Sequence, residues 1–163
     1  AELTSGRTRK LLSRLDRWSQ EPRYTSLGQL PLVEWLPEWL QACSGGCFLH
    51  AGWFSVHASD VDLHELRKRI KEVRYGLEAL HGWLGDAGEH WISDLRSVQS
   101  CLGELHDQEV LMQLIRGHGQ AASALRLVLE QDRQERWSQW QALRDQLLPP
   151  ERRRSLLRLW CSA

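Results

Sequence analysis

The segment from Asp62 to Glu78 carries two different faces on one predicted helix, and this pattern constrains the fold more than any other feature of the chain. Successive residues of an α-helix are offset by about 100°, so residues three and four positions apart share a face. Apolar residues follow this spacing along one stripe: Leu63, Leu66, Ile70, Val73 and Leu77. A second stripe beside it carries cations and a phenol: His64, Arg67, Lys71, Arg74 and Tyr75. The first stripe predicts burial against other helices, and the second predicts a row of cations suited to a linear polyanion.

The overall charge is balanced but unevenly distributed. The 163 residues include 21 Lys plus Arg and 21 Asp plus Glu, which gives a formal net charge of +0. A neutral chain is not expected to coat nucleic acid, which makes a nucleic-acid partner an unfavoured interpretation. No Lys or Arg occurs between Tyr24 and Leu66, and the cations concentrate in residues 7–23, 67–74 and 116–158. A local anion site is therefore compatible with zero net charge.

Length and composition favour a soluble, globular chain. A hydrophobic content of 42% over 163 residues is enough for one domain with a real core. No apolar run of roughly 18 residues and no secretory signal pattern occur, so we expect a cytoplasmic protein without a membrane partner. The cysteines form no CxxC pair, which favours free thiols in a reducing compartment. They are Cys43, Cys47, Cys101 and Cys161.

Helical spacing recurs along the chain, whereas strand alternation bounded by turn residues does not. We predict helices over residues 4–19, 32–42, 62–83, 89–116, 120–147 and 152–160. Residues 47–59 lack a clean period and predict a packed loop, and Gly82, Gly85 and Gly88 predict a turn. The predicted fold class is all-α, and its architecture an antiparallel helix bundle.

Three local features refine this prediction. Asp60 or Asp62 can cap the helix that carries the cations, and Glu65 then resembles the second member of a capping box. Gly76 inside that helix costs about 1 kcal/mol relative to Ala, which predicts the close approach of another element. Most of the nine Trp residues lie at helical spacing with other apolar residues, so we interpret them as core and inter-helix filling.

Two strings of sequence follow one another in the middle of the chain. Residues 64–78 follow the pattern H-x-x-R-K-x-x-K-x-x-R-Y-x-x-E, and residues 102–107 follow L-G-x-L-x-D. Together they resemble the bacterial CHAD domain, the conserved histidine α-helical domain. The stretch from Trp35 to Trp53, ending in His50-Ala51-Gly52-Trp53, is also similar to members of that family. The resemblance covers roughly residues 20–159.

The resemblance implies that this chain binds inorganic polyphosphate on its basic helix and that it can associate with polyphosphate granules. The chain has no glycine-rich phosphate loop and no serine-centred motif, so we expect no catalysis and no cofactor or metal. The binding residues that the resemblance implies are His64, Arg67, Lys68, Lys71, Arg74 and Tyr75. The expected phosphate clamps are Arg67, Lys71 and Arg74. His64 and Tyr75 would be donors, and Lys68 an outer contact. Glu78 would orient an arginine, and Asp107 would join the second motif helix to the first by a hydrogen bond.

The chain departs from the family pattern in one respect. A full CHAD domain is usually a duplicated pair of four-helix bundles, each with its own histidine-bearing basic helix, and this chain shows one such helix. The segment from Arg7 to Trp18 is basic but lacks His, and resembles the last helix before a second repeat. We therefore expect one CHAD-like domain over residues 1–163 that corresponds to the C-terminal half. Its partner would be a missing N-terminal half, a second copy of the chain, or another protein.

Other interpretations of the sequence stay open. The basic stripe can be a solvated face whose cations pair with Glu65, Glu72 and Glu78. The chain can also be an adaptor that binds another protein through Trp53, Trp83 and Trp160, or an accessory module of a triphosphate-hydrolysing tunnel enzyme. A metal site and an acid–base pair are both disfavoured. The spacing of the candidate metal ligands is unusual for zinc. The residues concerned are Cys43, Cys47, His50 and His57 for the metal, and His106 with Asp107 for the pair.

Overall fold

All regular secondary structure in the described part of the chain is helical. The computed structural model describes residues 5–57, 61–116 and 122–160, without the side chain of Trp160. Its α-helices are α1 (Gly6–Gln20), α2 (Leu32–Phe48), α3 (Val61–Ala79), α4 (His81–Ile115), α5 (Ser123–Leu147) and α6 (Pro150–Leu157). Short 3₁₀ turns span Leu27–Gln29, Ala51–Phe54 and Arg158–Trp160. The prediction of an all-α fold is confirmed.

The chain divides into two compact units, Ala1–Trp35 and Leu36–Ala163. In the first unit, the Ser5 hydroxyl caps α1 by accepting a hydrogen bond from the Thr8 amide at 3.2 Å. The apolar side chains of α1 remain exposed, and the buried side chains of the described residues all belong to the second unit. The prediction of a single domain over residues 1–163 stays a prediction.

The second unit is a bundle in which α3, α4 and α5 run antiparallel to their neighbours. Contacts between α3 and α4 join residues whose numbers rise on one helix as they fall on the other: His64 with His106, Arg67 with Gly103, and Arg74 with Gln99. Contacts between α4 and α5 follow the same order: Cys101 with Arg136, Glu109 with Arg133, and Ile115 with Arg126. The predicted antiparallel arrangement is therefore present in these helices.

The apolar stripe of α3 forms the centre of this bundle. Its members are at most 5% exposed: Leu63, Leu66, Ile70, Val73 and Leu77. The predicted inner face of α4 is buried as well: Ile92, Leu95, Val98, Leu102 and Leu105. Burial of each such side chain contributes about 1.5–3 kcal/mol, so this packing fixes which face of α3 is left for other roles.

Aromatic rings extend the core on the side of α2 and α5. The Trp53 ring stacks between those of Phe48 and Trp140, with centroid distances of 5.6 and 5.3 Å, and its indole N–H donates to the Cys47 carbonyl at 2.8 Å. Trp91 is also buried, and Trp39 and Trp137 pack against the core. The prediction of core tryptophans is confirmed for these residues. It is wrong for Trp18 and Trp35, which are about half exposed, and Trp83 is exposed as the adaptor interpretation requires.

The predicted end of α2 is wrong, and one of the two predicted caps of α3 is excluded. Helix α2 continues through Ser44-Gly45-Gly46 to Phe48, because burial of Ser44, Cys47 and Phe48 holds its last turn against the core. The predicted loop then begins later and contains the 3₁₀ turn Ala51–Phe54. Helix α3 begins at Val61, so Asp62 lies in its first turn rather than at the cap, whereas Asp60 is outside the described residues.

The connection between α3 and α4 also differs from the prediction. Helix α3 ends at Ala79 and α4 begins at His81, earlier than residue 89. The predicted glycine turn is instead a break inside α4 at Gly85, which adopts a φ of 57° and a ψ of −163°. A positive φ strains any residue with a Cβ, which explains why glycine occupies this position.

Gly76 provides a test of the packing of α2 on α3. An added Cβ there would lie 2.0 Å from a ring carbon of Trp39, which confirms the predicted close approach. We expect Gly76→Ala to lower the free energy of unfolding by about 1 kcal/mol or more, because overpacking outweighs the gain in helix propensity. Gly45→Ala is the matched control, because no atom lies within 4 Å of its added Cβ. Urea denaturation measures both variants, and equal stability would contradict this packing.

Candidate functional site

A groove opens between α3 and α4 where the cationic stripe of α3 faces its neighbour. Its volume is about 480 Å³, and it is open to solvent along one side. The lining residues are Arg67, Arg74, Arg96, Gln99, Ser100, Gly103, Glu104 and Asp107. The groove therefore has one wall from the predicted basic helix and a second wall from α4.

Arg74 is the most strongly held cation of the groove. Its side chain is 10% exposed, its Nε donates to Gln99 Oε1 at 2.9 Å, and its Nη1 donates to Glu78 Oε1. The guanidinium also lies 4.3 Å from the centre of the Tyr75 ring. These contacts fix Arg74 to both walls, so the residue supports the groove as much as it lines it.

Glu78 joins the two walls a second time. The same Oε1 atom that accepts from Arg74 also accepts from Arg96 Nη2 at 2.8 Å. The hydrogen bond from Arg96, followed by the charge of Arg74, lowers the pKa of the Glu78 carboxyl. The predicted orienting role of Glu78 thus corresponds to contacts with two arginines, one on each helix.

Arg67 differs from Arg74 because its charge has no partner in the part of the chain that the structure describes. It makes no ion pair or hydrogen bond with the residues that the structure describes, and its Nε is buried without an acceptor. The guanidinium lies over Gly103, where an added Cβ would be 3.3 Å from both Nε and Nη2. The absence of a side chain at Gly103 therefore makes room for an arginine that lines the groove, where the guanidinium N–H groups other than the buried Nε–H can meet an incoming anion.

The histidine of the motif lies outside the groove lining. The His64 ring packs against that of His106 with centroids 4.8 Å apart, and its Nδ1 is buried without a partner among the described residues. Desolvation, followed by the positive charge of Lys68 and the proximity of His106, lowers the pKa of His64. Near neutral pH the imidazole is therefore uncharged.

The other predicted binding residues surround the groove rather than line it. Lys68 pairs with Glu65 at 2.7 Å, and the Lys71 ammonium lies 5.4 Å from the centre of the exposed Tyr75 ring. Of the six predicted residues, the groove brings together Arg67 and Arg74.

The solvated-face interpretation is correct for part of the stripe. Each of the three glutamates that this interpretation named pairs with a cation of α3. Glu65 pairs with Lys68, Glu78 pairs with Arg74, and Glu72 pairs with Arg69 at 3.5 Å. These ion pairs do not involve Arg67 or Lys71.

The sequence interpretation missed the second wall. Arg96, Gln99 and Ser100 were not predicted as site residues, although Arg96 is the one cation among the carboxylates of residues 75–115. The prediction that Asp107 joins α4 to α3 by a hydrogen bond is wrong. Its exposed carboxylate makes no hydrogen bond to α3 within the described residues. It lies along the groove instead.

The residues of the alternative metal and adaptor interpretations differ in their burial and contacts. Cys47 is buried, which raises the pKa of its thiol to about 12, and His50 Nδ1 accepts a hydrogen bond from the Gly52 amide. Across residues 5–57, 61–116 and 122–160, no group of three metal-binding side chains comes together. Among the proposed adaptor tryptophans, Trp53 is buried and Trp83 is exposed.

Comparison with known proteins identifies the class of this helical bundle. The sequence model of a family described as CHAD domain matches residues 1–116. The chain belongs to the CHAD domain family. The match contains both motif strings, but it starts and ends earlier than the expected range of 20–159. No curated protein and no solved structure matches the chain. Within the described residues, no helix has the length and apolar character needed to cross a membrane.

The lowered pKa of His64 generates a test of its environment. The folded state favours the neutral His64 ring. The stability that His64 contributes is therefore present above the unfolded pKa of about 6.5, and this stability is lost as the pH falls below that value. We expect the urea midpoint to fall more between pH 7.5 and pH 5.5 in the wild type than in His64→Gln. An identical fall in both proteins would show that His64 is not desolvated in the folded state.

Proposed function

We propose that this chain binds inorganic polyphosphate in the groove between α3 and α4. The observation that carries the proposal is the Arg67 guanidinium, which has no ion-pair partner among the described residues and lies beside Arg74 and Arg96 in an open groove. Membership of the CHAD family, which is associated with polyphosphate, supports the same ligand. The groove extends along two helices, a shape that suits a chain-like anion better than a compact one.

The chemistry of the groove fits a phosphate chain. Polyphosphate carries about one negative charge per phosphoryl group, and guanidinium groups bind such oxygens through paired, charge-assisted hydrogen bonds. Arg67 and Arg96 would hold separate phosphoryl groups of the chain from opposite walls, with Arg74 between them. Gln99 and Ser100 add neutral polar groups on α4. Glu104 is neutralised by Arg136 at 2.7 Å, which reduces its repulsion of the ligand.

The remaining predicted residues would act at the edge of the groove. Lys71 and Lys68 contribute positive charge beside it, and the exposed Tyr75 side chain, whose ring contacts Arg74, carries a hydroxyl donor. His64 is neutral when the protein is free and gains a proton more readily once phosphate is near, since an adjacent anion favours the charged ring. Binding is therefore expected to strengthen as the pH falls through the range in which His64 titrates.

We further propose that the site binds polyphosphate without cleaving it, that the protein resides in the cytoplasm, and that it can join polyphosphate granules. The groove presents guanidinium, amide and hydroxyl groups, which hold phosphate but do not attack it, together with the carboxylates of Glu104 and Asp107. Gel analysis of polyphosphate length after incubation with the protein tests this part of the proposal, and shortened chains would contradict it.

The polyphosphate proposal is tested by removing one groove cation. We expect Arg67→Gln to weaken binding of long-chain polyphosphate about tenfold and to reduce the dependence of affinity on salt, because one phosphate contact is lost. Arg69→Gln is the matched control, because Arg69 lies on the same helix and pairs with Glu72 away from the groove. Calorimetric titration at two salt concentrations measures both effects. Equal affinities of the two variants would rule out the groove as the binding site.

Gly103 provides a test in which stability and affinity change in opposite directions. Gly103→Ala should raise the free energy of unfolding by about 0.5–1 kcal/mol, because Ala favours the helix and Arg67 loses no hydrogen bond when it shifts. The displaced guanidinium should weaken polyphosphate binding on the order of threefold. Gly82→Ala in α4 is the control, because nothing lies within 4 Å of its added Cβ and it is remote from Arg67. Unchanged affinity of Gly103→Ala would show that the position of Arg67 is not required.

A non-catalytic adaptor is the second candidate function, and one observation favours it. The exposed Trp83 ring lies beside the Gly85 break and borders an apolar cavity of about 330 Å³ that Leu84 and Leu159 also line. An aromatic side chain next to an apolar cavity is typical of a protein-binding surface.

A further inference from the structure

We propose that Glu78 is a built-in competitor for the phosphate site, and that it makes the groove selective for long polyphosphate over short phosphate anions. The proposal rests on the proposed function, because it concerns the ligand preference of the same groove. Its basis is the position of one carboxylate oxygen between guanidinium groups of the two walls.

The contacts of Glu78 are those that a phosphate oxygen would make. Its Oε1 accepts from Arg74 Nη1 and from Arg96 Nη2 at 2.8 Å, so a single anionic oxygen bridges α3 and α4. A phosphoryl oxygen that bound between the same two arginines would need the same donors. The carboxylate and the ligand therefore compete for one position.

The competitor has an advantage over a small anion. Glu78 is attached to the helix one turn beyond Arg74, so its effective concentration at the two guanidinium groups is high whatever the solution contains. A short anion that displaces it gains contacts mainly with Arg74 and Arg96. It therefore replaces one set of charge-assisted hydrogen bonds with another, and the net gain in binding free energy is small.

A long polyanion is not limited in this way. It can bind Arg67, which has no ion-pair partner among the described residues, without displacing the carboxylate, so only part of its binding depends on exchange with Glu78. The groove remains assembled during the exchange, because Arg74 keeps its hydrogen bond to Gln99. Arg96, whose side chain is 65% exposed, has the freedom to follow the ligand.

The test compares two ligands and two isosteric variants. Calorimetric titration with tripolyphosphate and with long-chain polyphosphate is performed on the wild type, Glu78→Gln and Glu72→Gln. We expect Glu78→Gln to bind tripolyphosphate about tenfold more tightly and the long chain less than about threefold more tightly. Glu72→Gln, which removes the same charge from α3 at a residue that pairs with Arg69, should change the two affinities equally.

A charge-conserving variant separates competition from a general effect of charge. Glu78→Asp keeps the charge but shortens the side chain, so it should weaken the bridge and reduce the preference for the long chain while the net charge is unchanged. Thermal unfolding of each variant, measured without ligand, establishes that the bundle is folded before its affinities are compared.

The outcomes distinguish this inference from the proposed function. If the wild type does not bind long-chain polyphosphate, the proposed function is wrong, and this inference falls with it. If the wild type binds but Glu78→Gln keeps the same ratio of affinities for the two ligands, only the inference is overturned. A loss of affinity for both ligands in Glu78→Gln would also overturn it, because Glu78 would then position the arginines for binding.

Discussion

The packing of the apolar stripe of α3 against α4 is the interaction on which the rest of the structure depends. Burial of Leu66, Ile70 and Leu77 fixes the rotation of α3 about its axis, and the cationic stripe is thereby directed along the boundary with α4. A helix rotated differently would present the same cations to open solvent. The hydrophobic core thus determines where the charges are placed, although it contributes none of them.

The boundary between α3 and α4 combines strongly paired and unpaired charges. Arg74 is buried and joined to Gln99 and Glu78, whereas Arg67, two helical turns away on the same stripe, has no polar partner among the described residues. A buried cation without a partner would be costly, so Arg74 requires these contacts for stability. Arg67 is only partly buried and lines the open groove, so the guanidinium donors other than its buried Nε–H remain available for a ligand.

The sequence predicted the periodic parts of the fold and the first wall of the groove, because both follow from the spacing of residues within one helix. It did not predict that α2 continues to Phe48, since burial of Cys47 and Phe48 by other helices overrides the preference of Gly45 and Gly46 for turns. It also missed Arg96 as a site residue. Its position depends on the register between two helices, which no pattern within α4 reveals.

The buried cysteines have a consequence for the chemistry of the folded chain. Burial raises the pKa of Cys47 to about 12 and that of Cys101 to about 11, and the Cys101 Sγ donates to the Arg136 carbonyl on α5. Since the thiolate is the reactive form, both sulfurs are protected from alkylation and oxidation while the bundle is intact. Their modification would require the helices to separate, so the rate of labelling by a thiol reagent reports how often the bundle opens.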